Sequence, residues 1–265
     1  MKIWVQTATS YGYEPVWDGY GQTLLEQCRR VMRPGVEATV HGMPVMMRDI
    51  ETYLCVEAPH QMQMFTNMLR AEREGYDAFA ITCSEDPFLR EGREMLAMPV
   101  IGITQTAFHY AALLGDQFAV IASSYILHER YRRMLVGYGL SGRCLPGPFL
   151  LNAREEEMAR ALADPGPVVD RFMAAARKAI DAGASMLVPL PAFIGTCLYK
   201  AGVTEIDGVV ILDPVATLIK TAESLVDLQA AGVQPSRREG HFARVPREMR
   251  DAAIEKYAAV LRLPD

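Results

Sequence analysis

Short apolar runs rich in valine, isoleucine and alanine recur along this chain and alternate with segments of helical periodicity. That alternation constrains the fold most strongly, because apolar strands separated by helices imply a parallel sheet covered on both faces. The pattern predicts strands over residues 2–5, 36–40, 78–82, 99–103, 118–122, 185–190 and 209–212. It predicts helices over 22–32, 59–74, 87–96, 106–114, 155–162, 167–182 and 214–227.

Two stretches share one design. Gly75 leads into the apolar run 78–82 and on to Met98-Pro99-Val100-Ile101-Gly102. Gly183 leads into 185–190 and on to Val209-Val210-Ile211-Leu212-Asp213. Each unit runs helix, glycine, apolar strand, loop, helix, apolar strand. The expected architecture is therefore α/β, with two pseudo-symmetric parallel-sheet lobes from an internal duplication. Residues 1–115 and 216–232 form the first lobe, 116–215 the second, and 233–265 a polar tail ending in a helix over 246–261. Ligands in such folds sit at the carboxyl ends of the strands, so the cleft between the lobes is the expected site. Within the chain of 265 residues, half are hydrophobic, which excludes a disordered protein. The formal net charge of −5 disfavours a nucleic-acid partner. No apolar stretch approaches the roughly 20 residues of a membrane span, and no leader pattern opens the chain. Five cysteines without a dense framework point to reduced thiols and a cytoplasmic protein.

Cys83 is the first candidate for chemistry. It closes an apolar strand just before a helix expected to begin near Asp86-Pro87, where free backbone N–H groups stabilise a thiolate or a bound carboxylate. A thiol there acts as acid, base or nucleophile, or else as a small buried hydrophobe. Polar groups cluster at the other strand ends: Gln6, Thr7, Thr9 and Ser10, then Ser84 and Glu85, then Thr104 and Gln105, then Ser123 and Ser124. They suit substrate binding, and Thr104 and Ser124 equally suit helix capping. Tyr11, Tyr13 and Trp17 suggest an aromatic lid, a surface patch or a subunit contact. His60 and His128 read as helix residues in structural roles, His109 as a general acid or base or a packed helix residue, and Cys28, Cys55 and Cys144 as ordinary thiols. No His/Cys/Asp/Glu group has zinc-site spacing, and no phosphate-binding glycine loop is present.

The segment Asp77-Ala78-Phe79-Ala80-Ile81-Thr82-Cys83-Ser84-Glu85-Asp86-Pro87, with Arg93-Glu94 and Met98-Pro99-Val100-Ile101-Gly102, resembles the first catalytic segment of the aspartate/glutamate/hydantoin racemase superfamily. The hydantoin racemase branch is the nearest in pattern, and Ile50-Glu51-Thr52-Tyr53 and Gln117–Ser123 also fit it. The resemblance covers roughly residues 1–230. It implies two α/β lobes, no cofactor, a small-molecule substrate and a homo-oligomer. It also implies one catalytic cysteine from each lobe, acting on opposite faces of a carbon acid. Cys83 matches the first. The second falls eight residues after the glycine of Gly183-Ala184, and that position is Pro191. Cys197, six residues further on, is the nearest thiol. It is expected either in a loop facing the cleft or buried in a helix. The implied activity is racemisation or isomerisation of a small carboxylate, amino-acid derivative or hydantoin-like cyclic amide. The alternatives are a single-cysteine decarboxylase, lyase or hydrolase, and an inactive small-acid-binding protein.

Overall fold

The computed structural model describes all residues except 48–49, 154–156, 158–159, 239–241 and 262–265, and in the last helix the side chains only to 256. The chain opens β1 (Lys2–Gln6), α1 (Asp18–Val31), β2 (Glu37–His41), α2 (Leu54–Arg73), β3 (Ala78–Ile81), α3 (Leu89–Met95), β4 (Val100–Gly102) and α4 (Ile103–Leu114). It then repeats the alternation with β5 (Phe118–Ala122), α5 (Tyr125–Gly137), β6 (Phe149–Leu150), α6 (Gly166–Asp181), β7 (Met186–Leu190), α7 (Ala192–Ala201), β8 (Glu205–Ile206), β9 (Val209–Ile211) and α8 (Pro214–Ala230). The tail ends in α9 (Arg247–Leu261). Part of the helix expected over 155–162 lies outside the described residues.

The first sheet has the order β2-β1-β3-β4 and the second β6-β5-β7-β9-β8. Leaving aside β8, which pairs antiparallel to β9, both sheets are parallel and both place their strands second, first, third, fourth. Every residue of β3, β5 and β7 is buried, as parallel strands covered on two faces require. The glycines that announce the two units do the same work. Gly75 (φ 73°) ends α2 and Gly183 (φ 100°) ends α6 in the left-handed region that glycine adopts without strain. The next residue then bonds five residues back, Tyr76 to the Ala71 carbonyl and Ala184 to Ala179. This is the Schellman closure that drops the chain into the following strand.

The last helix of each half crosses to the other. Although α4 follows β4 and falls within the expected first lobe, it packs on β7 and α5, and its Ala107, Phe108 and Ala111 join the core of the second sheet. Conversely α8 packs on β3 and β4 of the first sheet and against α1 and α4. The tail lies on the first lobe. Arg250 donates to Glu72 (2.9 Å) and to the Met95 carbonyl (3.1 Å), and Ile254 packs against the core that holds Trp4 and Phe79. Among the described residues no helix is long and apolar enough to cross a membrane.

Several elements differ from expectation for local reasons. The helix α2 begins at Leu54, ahead of the expected start at residue 59, with Pro59 inside it. The helix expected over 87–96 begins only at Leu89, because Asp86 (φ 48°) and Phe88 (φ 56°) take left-handed conformations. Asp86 instead folds back to cap α4, accepting from the backbone N–H groups of Thr104 (3.1 Å) and Gln105 (2.8 Å). Burial pushes its carboxyl up to about 7, against the pull of those amides, Arg93 and Tyr138. The folded state therefore holds this proton more tightly than the unfolded chain, whose value is 3.8. Its contribution to stability is complete below about 4 and is lost as pH rises towards about 7. Asp86→Asn removes that titration. The gap in unfolding free energy between wild type and variant, followed by urea denaturation, should fall by roughly 2–4 kcal/mol across this window.

Candidate active site

In a sheet of order second-first-third-fourth, the chain reverses direction between its first and third strands, and a crevice opens at their carboxyl ends. Here those ends are Thr7 after β1 and Cys83 after β3, and Pro191 after β7 meets them from the second lobe. The resulting cleft encloses about 720 Å³ of empty space, the open solvent at its mouth included. Thr7, Thr9, Thr82 and Ser84 supply hydroxyls to it. Trp17, Tyr20 and Phe193 form an aromatic wall, with the Tyr20 and Phe193 rings 5.1 Å apart. Met46, Ile50, Glu51, Glu57 and His60 close it from the β2–α2 side.

The loop that carries Cys83 is pinned from the second lobe. Ser84 Oγ accepts from the Ala192 backbone N–H at 3.0 Å, at the first turn of α7. Arg130, on α5, has its Nη1 2.8 Å from Glu57 and 3.0 Å from Glu85, and its Nη2 donates to the Glu51 carbonyl at 2.8 Å. The Cys83 thiol, 3.3 Å from the Glu85 carboxylate, donates its proton to it. Burial pushes the thiol well above its ordinary 9.0, and the Glu85 and Glu57 charges push it further. The Glu85 backbone N–H, which favours the thiolate, does not offset them. Glu57 is itself raised, by burial and then by Glu85, with Arg130 opposing. So the expectation of a thiolate stabilised by a helix N-terminus is corrected. The next helix starts at Leu89, carboxylates surround the sulfur, and Cys83 is a protonated thiol at neutral pH.

This fold, with a cysteine at the first switch point, matches a known family. The Asp/Glu/hydantoin racemase model covers residues 19–222 of the chain. The chain belongs to this family. The hydantoin racemase of Pseudomonas sp. (strain NS671) is 27% identical over 161 residues, 60% of this chain and 62% of that protein. The match therefore spans less than two thirds of that relative. The hydantoin racemase of Paenarthrobacter aurescens is 27% identical over 192 residues, 70% of this chain and 75% of that protein. Among solved structures, the allantoin racemase from Klebsiella pneumoniae superposes with a TM-score of 0.74 at 21% identity, over 93% of this chain and 94% of that one. The glutamate racemase RacE1 from Bacillus anthracis gives a TM-score of 0.62 at 17% identity, over 87% and 82%. These likenesses show the racemase fold.

Pro191, at the position where the resemblance implies a second thiol, lines the cleft. Of the two places expected for Cys197, the structure shows burial in a helix and not the cleft. Cys197 lies within α7, fully buried, in the core shared with Leu24 and Cys28, and burial raises it to about 12. The helix starts directly after Pro191, so Cys197 falls on the face turned towards α1, where its neighbour Thr196 donates to Gln27.

Of the expected binding residues, Thr7, Thr9, Ser84, Glu85 and Pro191 line the cleft with Cys83. The others do not line it. Gln6 is buried, accepts from Trp4 and Asn67 (both 2.9 Å), and donates to the carbonyls of Thr7, His41 and Gly42. It fixes the end of β1. Ser10 and Ser123 are fully buried beside the site. Thr104 donates to the Ser84 carbonyl at 2.6 Å, Gln105 accepts from Arg93 at 2.6 Å, and Ser124 caps α5. Gln6, Thr104, Gln105 and Ser124 thus serve capping and loop anchoring instead. The aromatic lid is also corrected: Trp17 is a buried wall, whereas Tyr13 is exposed. Cys55 is exposed on α2. Glu57, His60 and Arg130 carry no local motif, and nothing in the sequence separates them from surface helix residues. Only the approach of α2 and α5 to the Cys83 loop shows their place.

If Glu85 holds the thiol protonated, Glu85→Gln should lower its pKa. Alkylation of Cys83 by iodoacetamide near pH 8, followed by peptide mass spectrometry, should then speed up about three- to tenfold.

Proposed function

We propose that this protein is a cofactor-independent isomerase that moves a proton at a carbon next to a carbonyl, with Cys83 as an acid–base thiol. The observation that carries the reading is the protonated Cys83 at the switch-point cleft, 3.3 Å from Glu85. A thiol held protonated at neutral pH is ready to protonate an enolate carbon. The hydroxyls of Thr7, Thr9 and Ser84 line the same cleft, and preorganised donors at an enolate oxygen lower the barrier as charge develops. The acids Glu51, Glu57 and Glu85 line the same cleft, and Arg130 pairs with Glu57 and Glu85. That balance favours a neutral substrate over a free dicarboxylate. A hydantoin-like cyclic amide fits, and two relatives carry the name hydantoin racemase.

A second reading rests on Pro191. With an apolar residue facing the thiol, a substrate carboxylate loses its hydration in the cleft. Its departure as carbon dioxide followed by one-faced protonation from Cys83 is then the alternative reaction. One experiment separates the two. Enantiopure 5-substituted hydantoins and α-substituted malonates are incubated in deuterium oxide. Loss of optical rotation with deuterium entry at the substituted carbon of the hydantoins is the expected result. Cys83→Ala should slow it by about 10²–10⁴-fold. Carbon dioxide release from the malonates without hydantoin exchange would replace isomerisation with decarboxylation. Activity unaffected by Cys83→Ala would remove the thiol from the mechanism.

A further inference from the structure

Racemisation needs two proton-transfer groups, and the cleft holds one thiol. His60, on the second turn of α2, lines the same cleft as Cys83 and is 7% exposed. Its Nδ1 lies 3.0 Å from the Val45 carbonyl oxygen. A carbonyl only accepts, so this contact assigns the ring proton to Nδ1 and leaves a bare lone pair on Nε2. That Nε2 is buried and has no hydrogen-bond partner among the described residues. A buried polar atom left without a partner costs free energy and is rare in folded proteins. Here the residue lines the cleft, and the Ala8 carbonyl is the other acceptor beside the ring.

The groups around the ring agree with a neutral base. Gln61 and Gln63 flank it on α2, and Gln63 Nε2, 3.4 Å from Nδ1, also donates to the Val45 carbonyl at 3.0 Å. Glu57 precedes it by one turn, Glu85 approaches from the Cys83 loop, and Arg130 from α5 joins those two acids. Burial lowers the imidazole below its ordinary 6.5 despite the Val45 and Ala8 carbonyls and the Glu85 charge. Near neutral pH, Nε2 is therefore empty while the Cys83 sulfur holds its proton.

We propose that His60 is the second catalytic residue of this site, a general base that works with Cys83 as its acid. The proposal rests on the isomerase reading above. His60 Nε2 takes the proton from the carbon next to the carbonyl, and the C–H electron pair passes into the carbonyl as an enolate. The Cys83 S–H then delivers its proton to the same carbon from the other side. An imidazolium and a thiolate remain, with no net change of charge. The opposite enantiomer reverses the transfer, or proton exchange with water restores the starting pair. In this scheme Pro191 needs no acid–base function.

The test is His60→Asn, whose amide nitrogen reproduces the donor to Val45 but removes Nε2. Racemisation of 5-benzylhydantoin should fall about 10²–10⁴-fold in kcat with little change in KM or in melting temperature. The wild-type rate should also decline as pH falls through a value below 6.5, and the variant should lose that limb. Independently of turnover, nitrogen NMR of the histidine-labelled protein should show a neutral His60 ring with its proton on Nδ1. A charged ring near neutral pH, or a proton on Nε2 donated to Ala8, would overturn the base role. So would His60→Asn turnover within about threefold of wild type while Cys83→Ala is inactive, an outcome that leaves the isomerase reading intact. If wild type exchanges no deuterium into any hydantoin, the isomerase reading fails and the base role fails with it.

Discussion

The exchange of α4 and α8 between the two sheets is the constraint on which the rest of the structure depends. Each sheet is only four or five strands wide and must be covered on both faces to bury its apolar strands. Each half lends its last helix to cover the other, so Phe108 fills the second lobe's core while α8 covers β3 and β4. Neither half is complete alone. The carboxyl ends of the two sheets are thereby held against one cleft, with no independent hinge domain on either side. The hydrogen bond from Ala192 to Ser84 spans the two lobes and holds the loop that carries Cys83.

Charge then decides what the cysteine can do. A thiol near a helix N-terminus or a cation is a nucleophile and a base. The same thiol, half-buried and facing Glu85 with Glu57 nearby, is pushed towards its protonated form. Arg130 keeps two carboxylates close together in a half-buried site where they would otherwise repel or take up protons. Because Arg130 comes from the second lobe and the acids from the first, the charge balance at Cys83 depends on the lobes staying docked.

Much of this was legible in the sequence. Continuous apolar strands followed the solvent-free interior of parallel sheets, and the two glycines that close α2 and α6 marked the repeated unit. Cys83 was legible because a strand end in such a fold faces the cleft. The rest depended on contacts between distant segments. Thr104, Ser124 and Gln6 share the hydroxyl and amide chemistry of binding residues, and only the structure shows those groups engaged by backbone partners. The helical position of Cys197 was obscured because Ala192–Leu198 is buried throughout and lacks a polar face to reveal its period. His60 and Arg130 looked like ordinary helix residues, since α2 and α5 meet only through the fold.

The crossed helices also bear on how such a chain could arise. A single half with this connectivity would expose the face its own last helix fails to cover. Two identical copies would close it by trading those helices, as a domain-swapped pair about a two-fold axis through the cleft. Fusing the copies into one chain frees the two equivalent strand ends from symmetry. One end is then able to keep a thiol while the other becomes proline, an asymmetry that no pair of identical subunits could reach.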